Sequence, residues 1–284
     1  MSKIYFLRDA KSSKFLRRAS WLFGLTAMVV VVFCLVTNIV PTSGQAQDVR
    51  QQFANDGDDD DCSSRGPSIR LPTTKLYIEH NSTAEDTGVH GAFDSVDWQK
   101  LCVYDPRGRQ ILEIEPQRQL KALSMSGIFF ESREPPNEEV SIEEIEAMFP
   151  EGRYSVRGRA LDGRRLTGAA TFTHDIPAAP VITFPQEGGV VSPAGFAVTW
   201  NHVTTDLDGD PINRTGYEVI VTKDVPDDPN GFSRPTFDVH VIPSETSLTV
   251  PSEFLEPNTR YELEVLVLEV SGNQTITSLF FETQ

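Results

Sequence analysis

Basic residues are scarce in this 284-residue chain, which carries 25 Lys and Arg against 41 Asp and Glu, a formal charge of −16. The shortage is sharper beyond residue 46, because Lys3, Arg8, Lys11, Lys14, Arg17 and Arg18 precede it against Asp9 alone, leaving 19 basic and 40 acidic residues and a charge of −21. Phosphate backbones and anionic lipid are held by clustered Lys and Arg, so the balance argues against a nucleic-acid partner and against attraction of the body to membrane. Long apolar periodic stretches are few, and 19 Pro and 19 Gly punctuate the chain. Many short strands and turns follow, hence an all-β class.

Catalytic signatures are missing too. There is no Gly-x-Ser-x-Gly elbow, no phosphate loop and no dinucleotide fingerprint. His80, His90, His174, His202 and His240 include no pair at the spacing of a zinc site, although His80, Asp86 and His90 are close enough in sequence to meet in one loop. Carboxylates are plentiful because the protein is acidic, and their separations are tertiary quantities that spacing does not reveal. The chain is read as not an enzyme, with a hydrolase seated in residues 73–176 kept as the catalytic alternative.

Residues 21–40 contain no charge at all, and the basic stretch before them marks the cytoplasmic side. Export follows. Twenty such residues suffice to span ~30 Å of hydrocarbon, whereas Gly44 and Ala46 suit signal-peptidase cleavage, so residues 1–46 are either a removed signal peptide or a retained anchor. The body is then periplasmic, extracellular or anchored facing outward, and touches membrane only through residues 21–40 if these are kept. Of three cysteines, Cys34 falls in the apolar run. An oxidising compartment allows Cys62 and Cys102 to pair, the alternative being a free or intermolecular Cys62 in a mobile tail and a Cys102 buried in a strand.

Residues 47–72, with the acid run Asp58 to Asp61, lack apolar periodicity and read as a flexible linker. Residues 73–176 alternate like strands at Lys75 to Glu79, Leu101 to Tyr104, Ile111 to Ile114 and Ile128 to Phe130, and the runs Arg153 to Ala160 and Arg165 to Thr173 flank the hairpin signal Asp162-Gly163. An antiparallel, immunoglobulin-like sandwich accounts for them. A single helix is expected at Ser141 to Phe149, where Ser141 and Glu144 make a capping box and Pro150 stops the chain. Glu143, Glu144 and Glu146 are placed there by the helix dipole rather than by chemistry. Trp98, in a polar context, is the one aromatic to inspect as a surface contact.

Beyond Asp175-Ile-Pro-Ala-Ala-Pro180, strand-like runs recur at Phe196 to Trp200, Gly216 to Thr222, Thr236 to Val241, Ser247 to Val250, Arg260 to Val270 and Thr275 to Phe281. Trp200 on the second strand, Tyr217 opening the third, and Leu255, Pro257, Thr259 and Tyr261 in a Leu-x-Pro-x-Thr-x-Tyr pattern resemble the fibronectin type III family over residues 177–284. The resemblance implies a seven-stranded sandwich with Trp200 in the core and a tyrosine corner at Tyr261. It implies no binding residues: the last hairpin loop holds Ser271-Gly-Asn273.

The sharpest site-like motif is Asp206-Leu-Asp-Gly-Asp210, in which Asp206, Asp208 and Asp210 alternate on a Gly-containing loop and could converge on calcium. Pro211 and Tyr217 stand where an EF-hand wants Gly and an acid, and turn geometry alone also explains the loop. No other cofactor is expected. Asp224, Asp227 and Asp228 add charge on a later loop. The expected function is non-catalytic: two tandem sandwiches acting as an exported binding, adhesion or accessory module on a protein or carbohydrate partner. The alternative is a structural spacer of the cell envelope.

Overall fold

The computed structural model describes residues 62, 66–225 and 235–284. The expected export segment, residues 47–61 and 63–65 of the expected linker, and Asp227 and Asp228 lie outside the described residues. The end of that linker is not a flexible segment: Ser68–Arg70 is a strand paired with Arg165–Thr167, and Leu71 is buried. Among the described residues no helix is long and apolar enough to cross a membrane.

The chain is nearly all β. Its first half runs β1 (Ser68–Arg70), β2 (Thr73–Asn81), β3 (Asp86–Tyr104), β4 (Gln110–Ile114), α1 (Arg118–Leu123), β5 (Met125–Glu131), α2 (Ile142–Met148), β6 (Gly152–Ala160) and β7 (Arg165–Phe172). The organising element is β3, whose 19 residues serve both layers of a sandwich. Its first half lies between β2 and β5, with Tyr77 opposite His90 and Glu131 opposite His90 on the other side. A register shift between Asp94 and Trp98 turns the strand, and its second half lies between β4 and β6. Bulges of this kind let one strand turn a corner between sheets. The core between the layers holds Leu76, Ile78, Phe93, Trp98, Leu101, Tyr154, Leu166 and Phe172.

The second half runs β8 (Ile182–Phe184), β9 (Gly189–Val191), β10 (Phe196–Trp200), β11 (Arg214–Lys223), β12 (Thr236–Val241), β13 (Ser247–Val250), β14 (Arg260–Glu269) and β15 (Gln274–Thr283). One layer is β13-β10-β8 and the other β15-β14-β11-β12, the two-sheet arrangement expected of a fibronectin type III sandwich. Trp200 meets Tyr217 edge-on at 5.4 Å between the layers, and the Tyr217 hydroxyl accepts the Val203 N–H at 2.9 Å. The Tyr261 hydroxyl accepts the Glu256 N–H at 2.8 Å, closing a tyrosine corner beside buried Leu255. Thr259 locks the turn by donating its hydroxyl to the Pro257 carbonyl, and its N–H to Thr283 Oγ1, both at 3.0 Å.

The helix expected at Ser141 to Phe149 is α2, with both hydrogen bonds of its capping box present and Ile145 buried against the first core. It is not the sole helix. The short α1 buries no residue, so no apolar period announces it.

Candidate functional site

The two hydrophobic cores are joined by one sheet. The N-terminal end of β15 pairs in parallel with the end of β2, matching Gln274 to Glu79, Thr275 to His80 and Ile276 to Asn81, while its C-terminal end pairs with β9. The open edge of β15 is thereby covered at both ends, which removes a template for foreign strands. Asn273 seals the joint. Fully buried, it accepts the Ile78 N–H at 2.9 Å through Oδ1 and donates through Nδ2 to the Thr173 and Asp175 carbonyls at 3.0 and 3.2 Å. Ser82 adds its N–H and hydroxyl to the Ile276 carbonyl, at 2.9 and 2.7 Å.

Alternate residues of these strands project from the face of the sheet opposite the cores. Near the joint this face holds His90 between two carboxylates: Nε2 lies 3.0 Å from Glu134 Oε1 and Nδ1 3.6 Å from Glu79 Oε2, with all three side chains at least nine-tenths buried. Gln274 donates to the same Glu79 oxygen, and Tyr77 and Phe129 meet the imidazole edge-on. Burial pushes the imidazole pKa down, but the hydrogen bond to Glu134 and the charges of Glu79, Glu134 and Glu131 outweigh it and hold the pKa above its ordinary value. Sequence proximity suggested His80 with His90 in one loop. Instead both stand on strands, and His80 bonds Thr87 Oγ1 through Nδ1 at 3.0 Å, its pKa lowered by burial. Glu134 is 44 residues from His90, beyond any local pattern.

A second cluster lies on the outer face of β11 and β12. His240 pairs with Glu218 across the strands, Nε2 to Oε1 at 3.1 Å, and Asp238 is two residues before His240. Burial, then the carboxylates of Asp238, Glu264 and Glu79, push the Glu218 carboxyl up to about 8.

The expected calcium loop is built otherwise. Asp206 Oδ1 accepts the Asp208 and Asp210 N–H groups at 3.0 and 2.8 Å, and the Asp206 N–H donates to the Asp210 carbonyl at 2.9 Å. One carboxylate oxygen is therefore committed to the turn, with Gly209 at φ 93° completing it. Among the described residues, the sets of three His, Cys, Asp or Glu with ligand atoms within 4.8 Å of one another are Glu79, His90, Glu134 and Glu218, Asp238, His240. The set Asp206, Asp208, Asp210 is not one of them. Asp224 pairs with Arg260 instead, 3.3 Å from Nη1. Cys62 and Cys102 are disulfide-bonded, Cα to Cα 6.1 Å. Trp98 is fully buried and offers no surface contact.

An apolar groove of about 310 Å³ opens on the first sandwich. Leu76, Val89, Phe130 and Phe149 form its floor, Ile111 and Met148 stand exposed at its mouth, and Arg109 Nε binds Asp105 Oδ2 at 2.7 Å on its rim. Such a volume accommodates one or two large side chains. None of its residues was singled out in sequence for this role, because β2, β3, β4, β5, α2 and β6 each contribute only one or two.

No family model and no curated protein matches the chain. Solved structures it is similar to include fibronectin type III domains. The FN1–FN3 domains of chicken CNTN1 match at 14% identity and a TM-score of 0.32, covering 77% of this chain, which spans 65% of that structure. A two-domain fibronectin type III segment of chicken tenascin matches at 12% identity over 75% of this chain and 99% of that one, with a TM-score of 0.26. The third fibronectin III domain of human KIAA0343 protein matches at 23% over 38% of this chain and 82% of its own length, with a TM-score of 0.29.

Proposed function

We propose that this is a non-catalytic exported binding or accessory module that captures a protein partner by an apolar side chain. The groove of the first sandwich carries the reading: a largely apolar pocket with Ile111 and Met148 exposed at its mouth and one ion pair on its rim. Apolar anchors seated in such pockets supply most of the energy of protein recognition, and the exposed Arg109 guanidinium, held by buried Asp105, offers donors to backbone carbonyls beside the anchor. A carbohydrate would instead call for exposed aromatic faces and many polar groups, which favours protein of the two partner classes. The sheet joint through Asn273 holds the groove in a fixed relation to the second sandwich. Division into separately folding units at residues 176 and 177, export of the body, and the absence of catalysis belong to the same reading.

Selection of a displayed random peptide library on the purified chain tests it. Peptides with a shared large apolar residue are expected, and Ile111→Glu is expected to weaken them about tenfold or more, since burying an unpaired charge costs over 1.4 kcal/mol. Absence of any enriched sequence, or equal binding to the variant, overturns the groove reading.

A further inference from the structure

Two clusters of imidazole and carboxylate converge among the described residues, and they differ in what they leave unsatisfied. In the cluster at the joint, His90 engages a carboxylate with each ring nitrogen and Gln274 caps Glu79. Those groups answer one another.

The cluster on β11 and β12 is built differently. Asp238 and His240 are alternate residues of one strand and share its outer face, and Glu218 stands directly opposite His240 on the next strand. An imidazole and two carboxylates thus surround one point, with ligand atoms within 4.8 Å of one another. The arrangement rests on regular strands rather than a loop, so it is preorganised. A second observation is independent of this spacing: Asp238 Oδ1 is buried without a donor from the backbone or a basic side chain, and the side chain's partner is the Glu218 carboxyl, another acid. A buried carboxylate oxygen without a donor is costly, and a coordinated cation supplies what it lacks. Glu264, opposite Ile220 on β14, adds a third carboxylate whose charge reaches Glu218.

The ligand set selects the ion. Calcium takes six to eight oxygens and no imidazole, whereas one imidazole nitrogen with two carboxylates suits zinc and its transition-metal neighbours. His240 is more than half exposed, so one side of the cluster faces solvent. We propose that Glu218, Asp238 and His240 form a binding site for a zinc-class divalent cation, with the remaining coordination position open to water or to a donor from outside. Three protein ligands and one open position is a geometry that zinc adopts readily. The site is distinct from the groove and stands or falls separately.

Equilibrium dialysis of the chelator-stripped chain against zinc chloride at pH 7.5 is the test. One zinc per chain is expected, saturating below about 100 µM, with a rise in melting temperature, because a ligand of the folded state alone stabilises it. His240→Ala removes an exposed side chain, and Asp238→Asn keeps the shape of the residue. Each is expected to weaken zinc at least about tenfold and to abolish the thermal shift. Circular dichroism confirms that both variants remain folded. Glu134→Gln, at the other cluster, is expected to bind as the parent does. Failure of the parent to bind below about 100 µM, binding that survives both β12 substitutions, or binding lost only in Glu134→Gln would each overturn the assignment.

Discussion

The Asn273 side-chain oxygen accepts the backbone N–H of Ile78 at 2.9 Å, across 195 residues and between the two cores. Its amide nitrogen meanwhile satisfies the Thr173 and Asp175 carbonyls. Asn273→Ala would leave the buried Ile78 N–H without a partner, at about 1–3 kcal/mol, and would take the donor from two part-buried carbonyls at a smaller cost. The expected result is a loss of about 2–5 kcal/mol in urea unfolding, with the single transition splitting as the two cores lose their coupling. Asn273→Asp keeps the acceptor and loses the donors, so it should destabilise as well. A variant with unchanged midpoint and one sharp transition would show the joint to be incidental.

The Cys62–Cys102 bond ties the start of the described chain to the second half of β3, across a separation of 40 residues. Closing a loop of that length lowers the entropy of the unfolded chain by an amount equivalent to about 4 kcal/mol on the chain-entropy account. Cys62→Ser is therefore expected to lower the melting temperature by about 8–16 °C. Equal melting of parent and variant would show that the unfolded chain gains nothing from the link.

Much of this fold was legible because its signals are local. Alternating apolar residues in Arg153 to Ala160 and Gly216 to Thr222 announce strands, Ser141 with Glu144 announces a helix start, and Leu255, Pro257 and Tyr261 announce a corner. The first half of β3 was not legible. Its alternation is interrupted on both faces, by Gly91 on the core side, where an added Cβ would meet the Phe130 ring at 2.3 Å, and by Gly88 on the His90 side, where it would meet Glu134 Cγ at 2.6 Å. Pairing of β15 with β2 left no trace either, since it uses backbone groups at a register that only the packed cores determine. Both side-chain clusters were missed for the same reason. Asp238 and His240 alternate visibly, but Glu218 joins them only through the β11–β12 register.

Gly88 makes the His90 cluster open to test. A methyl group there displaces Glu134, removing the hydrogen bond that most raises the imidazole pKa. In the parent the folded-state pKa is raised, so the stability from His90 is complete below the unfolded value of about 6.5 and is lost as pH rises through the folded value. Gly88→Ala is expected to lower the His90 pKa in an NMR titration and to flatten the loss of stability above neutral pH. An unshifted titration would mean that Glu79 and Glu131 alone hold the proton.

Glu218 gives the opposite test, of a carboxyl that resists ionising. Its pKa is pushed up to about 8 by burial first and then by Asp238, Glu264 and Glu79. The unfolded carboxyl titrates near 4.5, so the stability that goes with the protonated form is complete below that value and is lost as pH rises through about 8. Glu218→Gln keeps the size of the side chain and removes the charge. With chelator present, the variant should match the parent near pH 4 and exceed it by about 1–3 kcal/mol near pH 9, less than the full shift implies because the side chain is partly exposed and His240 offsets the charge. The same substitution removes one of the three zinc ligands, so added zinc should stabilise the parent and leave the variant unmoved. A stability difference constant with pH would place the cost of Glu218 in packing rather than in charge.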